Sequence, residues 1–177
     1  MSQHRSKRRG LAGVVVLVVV ALLALVGCAG GTSATASGNT LSGAQATFTG
    51  TTLDGATFDS ASLKGKPQVL WFWAPWCTVC RAEAPDVAKV AAAFDGRVSF
   101  VGVPGRGKVA EMRTFVSETG TAGFRHVSDE SGDLWKQFGV VSQPSFVFID
   151  AAGHATRVTG SLDAEELRTR VQSLLAS

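Results

Sequence analysis

The chain has 177 residues, the length of one ordinary domain, and is 45% hydrophobic and 18% charged. That is enough apolar material for a core and excludes a disordered chain. The formal charge of +3 falsely points to nucleic acid: Arg5, Lys7, Arg8 and Arg9 are four of the 17 basic residues, and no acid precedes Asp54. Beyond residue 27 the balance is 13 basic residues against 14 acidic, so no basic patch remains to track a phosphate backbone and no nucleic-acid partner is expected.

Residues 1–27 read as an export signal, with a basic start followed by Leu11–Val26, sixteen residues without a charge. Two readings stand: a cleaved signal, or a retained signal anchor, for which the apolar run is slightly short of the roughly 20 residues of a membrane span. Leu25-Val26-Gly27-Cys28 resembles the bacterial lipobox, in which a cysteine becomes lipidated and then N-terminal. Cys28 is therefore the expected lipid-attachment site. Residues 28–46 follow as a flexible tether; from Ala29 to Ala46, fifteen of eighteen residues are Gly, Ser, Thr or Ala and none is charged. A coil of that length holds the domain roughly 25 Å from its anchor. Either reading places the domain outside the cytoplasm, where disulfides persist.

The folded domain is expected over 47–177. Phe48 to Leu53 and Thr57–Phe58 flank Asp54-Gly55, a hairpin-turn pair. Gln68 to Ala74 is a continuous apolar run and reads as a buried central strand. Val79, Ala82, Val87, Val90, Ala91 and Phe94 carry helical spacing over 78–94, with Pro85 inside it. Arg97 to Val103 reads as a second buried strand. Val109, Met112 and Phe115–Val116 mark a helix ending at Gly120, and Leu134, Trp135 and Phe138 a short one. Ser145–Ile149 and Ala155–Thr159 form a hairpin. The last helix opens with Asp163 as N-cap and Glu166 three residues on, a capping-box pattern. Leu167, Val171, Leu174 and Leu175 are its expected buried stripe. This order of elements is an α/β layout with a mixed sheet.

The chemistry concentrates in Trp71-Phe72-Trp73-Ala74-Pro75-Trp76-Cys77-Thr78-Val79-Cys80. Two cysteines three apart open a helix directly after a buried strand. The unpaired N–H groups of a first helical turn favour a thiolate, and in such motifs the thiol pKa falls to roughly 3.5–7.5. The second cysteine, one turn away, is placed to close a disulfide that exchanges with substrate thiols. Half of a zinc site is the first competing reading. It lacks a second cysteine pair, and His126 and His154 have no matching spacing. A purely structural disulfide is the second. His126 and His154 are taken as surface or structural residues, His154 as solvated.

From about Phe48 to Leu175 the chain resembles the thioredoxin superfamily, and within it the TlpA/DsbE branch of extracytoplasmic thiol–disulfide oxidoreductases and the DsbE- and DsbF-like proteins of mycobacteria. Trp73-Ala74-Pro75-Trp76-Cys77 with Cys80 carries the resemblance. So do Arg81-Ala82-Glu83-Ala84-Pro85, Gln143-Pro144 and the stretch from Phe58 through Pro67. The resemblance implies a thioredoxin-like fold, a mixed central sheet flanked by helices, with an N-terminal β-hairpin extension. It implies a cis bond at Pro144, although only about 5–6% of X–Pro bonds are cis. It implies that Gln143 presents its backbone to an extended substrate and that Glu83 exchanges a proton with Cys80. As a bare residue, Glu83 reads equally well as a solvated surface acid. Trp71 stands where thioredoxin has a buried aspartate, and Thr78-Val79 replaces its Gly-Pro. Trp71 and Trp73 are expected in the core, and Trp76 exposed beside Cys77 as a substrate platform.

The expected function is that of an exported, lipid-anchored thiol–disulfide oxidoreductase on the outer face of the cytoplasmic membrane, oxidising cysteines of exported proteins. Cys77 attacks or is attacked, and Cys80 resolves. No cofactor or metal is expected, and the protein is expected to act as a monomer. Its partners are exported proteins with cysteine thiols or disulfides and a quinone-linked membrane oxidase. Two alternatives remain: a reductase serving cytochrome c maturation, and a non-catalytic lipoprotein that binds Cu(I) through soft thiolates.

Overall fold

The structure, a computed structural model, describes residues 40–41 and 46–176. The expected signal, Cys28 and most of the expected tether lie outside these residues. In chain order the elements begin with β1 (Thr40–Leu41), β2 (Thr49–Thr51), β3 (Thr57–Asp59), β4 (Gln68–Trp73) and α1 (Thr78–Ala93). Next come β5 (Ser99–Pro104), α2 (Val109–Thr119), β6 (Arg125–His126) and α3 (Asp133–Gln137). The chain closes with β7 (Ser145–Ile149), β8 (Ala155–Thr159) and α4 (Ala164–Leu175).

Six strands form one mixed sheet in the order β1-β8-β7-β4-β5-β6. β4 runs parallel to β5 and antiparallel to β7, so it sits in the centre. All six of its residues are buried. That explains an unbroken apolar run in place of an alternating one: both faces of the strand are covered. The strand's period of two then divides the core. Val69, Trp71 and Trp73 pack in one layer with residues of α1, α2 and α4, such as Val87, Phe115 and Leu167. Leu70 and Phe72 pack in the other, with Phe48, Phe58, Trp135 and Phe138 from the N-terminal hairpin and α3. Each such large apolar side chain contributes about 1.5–3 kcal/mol on burial.

Several expectations need correction. The hairpin forms, pairing Thr51 with Thr57, but its connection is a longer loop closed by the Thr52 N–H on the Ala56 carbonyl at 2.8 Å. The tether does not extend to residue 46: Thr40–Leu41 pairs with Ala155 and Thr156, and Ala46 is buried. Backbone pairing with the free edge of β8 needs no side-chain pattern, so a Gly/Ser/Thr/Ala composition does not forbid it. β6 carries no sequence signal because it has only two residues. Pro85 lies inside α1 without ending it. Asp163 caps α4 by accepting the Glu166 N–H at 2.8 Å, but the Glu166 carboxylate bonds Arg170 at 2.8 Å rather than reaching back. Leu175 is exposed, beyond the stripe of Leu167, Val171 and Leu174.

Candidate active site

β4 delivers the chain at Trp73 into a turn closed by the Cys77 N–H on the Ala74 carbonyl, 3.1 Å. Cys77 is the N-cap of α1, and its Sγ accepts the backbone N–H of Cys80 at 3.1 Å. The two cysteines are joined in a disulfide, with Cα atoms 5.3 Å apart. Cys80 is fully buried, whereas Cys77 keeps a narrow exposed edge. On reduction, a charge on the Cys77 sulfur sits against the free N–H groups of the first helical turn, which lowers the cost of the thiolate.

Gln143-Pro144 is a cis peptide bond. The register that pairs Phe72 with Ser145 sets Pro144 beside the end of β4, next to the turn that carries Cys77. Pro144 is buried and Gln143 half-exposed. Trp76 is 58% exposed, and its indole N–H donates to the Arg106 carbonyl at 2.7 Å. Trp71 and Trp73 are core residues.

Glu83 is not a surface acid. It is 6% exposed, accepts the Trp71 indole N–H at 2.8 Å and the Leu162 backbone N–H at 3.3 Å. Burial raises its pKa to about 7, and those two donors only partly offset it. Cys80 and Glu83 are three apart on α1 and both buried, so they share a face of the helix. Trp71, in place of the strand aspartate of thioredoxin, thus supplies a donor to an acid that comes from the helix.

Sequence reasoning missed Val141 and Arg106 here, and Val79, expected on the apolar stripe of the helix, is exposed instead. Val79 and Val141 are 51% and 76% exposed, and Arg106 joins the loops that carry Trp76 and Gln143. The only sequence signal was weak: Gly105 and Gly107 flank Arg106 directly after a strand. His126 is buried and structural, bonding the Thr121 carbonyl through Nε2 at 2.9 Å, whereas His154 is solvent-exposed and pairs with Asp150. A cleft of about 1140 Å³, lined by the N-terminal hairpin, α1, β5, α2 and β6, has no cysteine in its lining. Thiol exchange requires an accessible sulfur rather than a cavity, so the cysteine pair marks the site.

The AhpC/TSA family matches residues 43–158. The soluble secreted antigen MPT53 of Mycobacterium tuberculosis is 42% identical over 163 residues, 90% of each chain. Among solved structures, MTB DsbF in its mixed oxidised and reduced forms is 45% identical, covering 74% of this chain and 97% of its own, with a TM-score of 0.72. A secreted Mycobacterium tuberculosis disulfide oxidoreductase homologous to E. coli DsbE is 44% identical, covering 75% and 99%, with a TM-score of 0.70. With a disulfide at the head of α1 and relatives of this kind along most of its length, the chain belongs to the AhpC/TSA family and is a thioredoxin-like thiol–disulfide oxidoreductase of the DsbE/DsbF type.

Proposed function

We propose that this chain is an exported, membrane-tethered oxidase that forms disulfides in exported proteins. One observation carries the reading: the Cys77–Cys80 disulfide caps a helix beside cis-Pro144, with the buried Glu83 one turn behind Cys80. A substrate thiolate attacks the Cys77 sulfur, and the electron pair of the broken bond leaves on Cys80. Glu83, with a pKa near 7, is poised to hand that sulfur a proton. A second substrate thiolate then attacks the substrate sulfur of the mixed disulfide and expels Cys77 as a thiolate, which the helix start accommodates. The substrate leaves oxidised by two electrons and the enzyme holds two reduced cysteines.

The backbone of Gln143 aligns an extended peptide by strand-like pairing, and Trp76 gives it an apolar platform. Pro144 has no N–H to donate. Turnover requires reoxidation of the pair, for which a quinone-linked membrane oxidase is the fitting partner. Support for export comes from the basic and apolar start, from Leu25-Val26-Gly27-Cys28 with Cys28 as lipid anchor, and from relatives described as secreted.

The test is refolding of a reduced disulfide protein with stoichiometric oxidised enzyme, alongside equilibration of the pair with glutathione. Recovery of native disulfides, with a pair more oxidising than thioredoxin's roughly −270 mV, is the expected result. No recovery and a thioredoxin-like potential would transfer the enzyme to the reducing role in cytochrome c maturation.

A further inference from the structure

We propose that Arg106 is a positioning residue that sets peptide specificity: it ties the cysteine loop to the cis-proline loop and so holds the peptide-binding surface pre-formed. The inference rests on the oxidase reading above, in which a peptide thiol approaches Cys77 across both loops.

Arg106 lies between β5 and α2 with φ +55°, a left-handed conformation uncommon outside glycine. Its carbonyl accepts the Trp76 indole N–H at 2.7 Å. Its Nη2 donates to the Val141 carbonyl at 3.0 Å, and Nη1 makes a longer bond of 3.4 Å to Gln143 Oε1. The guanidinium also stacks over the Trp135 ring, 4.9 Å from its centroid. A single residue therefore bonds both loops, and a fork of donors on a flat stacking group is something only arginine supplies.

The neighbouring glycines press this loop into place. A Cβ on Gly107 would stand 2.4 Å from the Pro75 ring, and one on Gly105 would stand 2.7 Å from Trp135 Nε1. Either side chain would lift Arg106 off its partners.

The clamped loops carry Trp76 and Val141, which with Val79 make three of the four large apolar side chains exposed among the described residues. An extended peptide has to touch both loops at once. Loops already fixed spare the peptide the cost of ordering them, and every 1.4 kcal/mol of that cost is tenfold in affinity. A small thiol reaches the sulfur without spanning the loops and gains nothing from the clamp.

The experiment compares second-order rates of the oxidised full-length protein with a reduced dithiol peptide and with dithiothreitol. Arg106→Asn keeps a side chain tolerated at positive φ, so an unchanged melting temperature is expected. Its rate with the peptide should fall about tenfold, the loss expected from one charge-assisted hydrogen bond and the loop order it maintains. Its rate with dithiothreitol should stay within about twofold, because no loop contact is involved. Arg106→Lys keeps the charge but not the fork and should behave like Arg106→Asn. An unchanged peptide rate, an equal loss with both thiols, or full rescue by Arg106→Lys would each overturn the clamp. Wild-type protein inert toward both thiols would overturn the oxidase reading itself, a result separable from any difference between variants.

Discussion

Glu83 and His126 are buried to nearly the same extent, 6% and 5% exposed, yet they stand in different chemical positions. Burial drives each toward its neutral form: Glu83 up from 4.5 to about 7, His126 down from 6.5 to about 4. Glu83 has two N–H donors aimed at it and shares a helix face with Cys80. His126 has one bond through Nε2, packs against Trp73 and Phe124, and leaves Nδ1 without a partner among the described residues. The same physical cause therefore leaves an acid that titrates near neutral pH in one place and a core residue that stays neutral down to about pH 4 in the other. What separates them is where the shift stops and what lies within reach.

The contrast extends to stability. The folded state holds the Glu83 proton more tightly than the unfolded chain, so its contribution is present below pH 4.5 and is lost as pH rises to about 7. His126 works the other way: its contribution is present above pH 6.5 and is lost as pH falls toward about 4. At 1.36 kcal/mol per pKa unit each amounts to about 3 kcal/mol. The two slopes oppose each other over their common range and nearly cancel in the wild-type protein.

The largest effect is expected from removing the Cys80 sulfur, which shares a helix face with Glu83. Cys80→Ser should abolish oxidation of substrate thiols, by more than about 10²-fold, because no disulfide remains to be attacked; offered a substrate disulfide, its Cys77 thiolate should attack one sulfur, expel the other as a thiolate and stay in the mixed disulfide, since no Cys80 thiol is there to release it; non-reducing gels read this directly. Traps formed equally by Cys77→Ser would erase the distinction between the two sulfurs. Next comes Glu83→Gln, which should slow the exchange about 10²-fold, the usual worth of a positioned acid or base. It should also flatten the rate's pH dependence around pH 7. Denaturant titrations across pH should then show the bare His126 slope, with stability rising from pH 4 to 6.5. An unchanged rate would remove Glu83 from the chemistry while leaving its burial intact. The smallest functional effect belongs to His126→Gln, with exchange rates unchanged within about twofold because that side chain lies outside the proton path. Its stability should fall as pH rises from 4.5 to 7, the bare Glu83 slope. A loss of exchange rate in this variant would break the contrast.

Much of the site was legible because it rests on local chain order. A continuous apolar strand followed by Cys77 and Cys80 at a helix start is a local arrangement, whereas Glu83 was marked out only by the resemblance, because as a bare residue it read equally well as a surface acid. β1 and β6 were not legible: each is a two-residue strand held by backbone bonds to a neighbour's edge, which leave no side-chain signature. Leu175 was misplaced because the stripe of α4 runs off the domain in its last turn. Arg106 escaped notice because its partners lie 30 residues before and 35 to 37 residues after it.

The sequence alone determined the strand–turn–helix carrying the two cysteines and the two apolar faces of β4. These depend on periods of two and 3.6 residues and on the free N–H groups of a helix start, all properties of neighbouring residues. Tertiary structure alone decided that Glu83 is buried enough to titrate near 7, that His126 is locked neutral, and that Arg106 joins two loops. Each of these depends on how far water is excluded and on which distant groups arrive in its place, and desolvation and long-range hydrogen bonds exist only once the layers have packed.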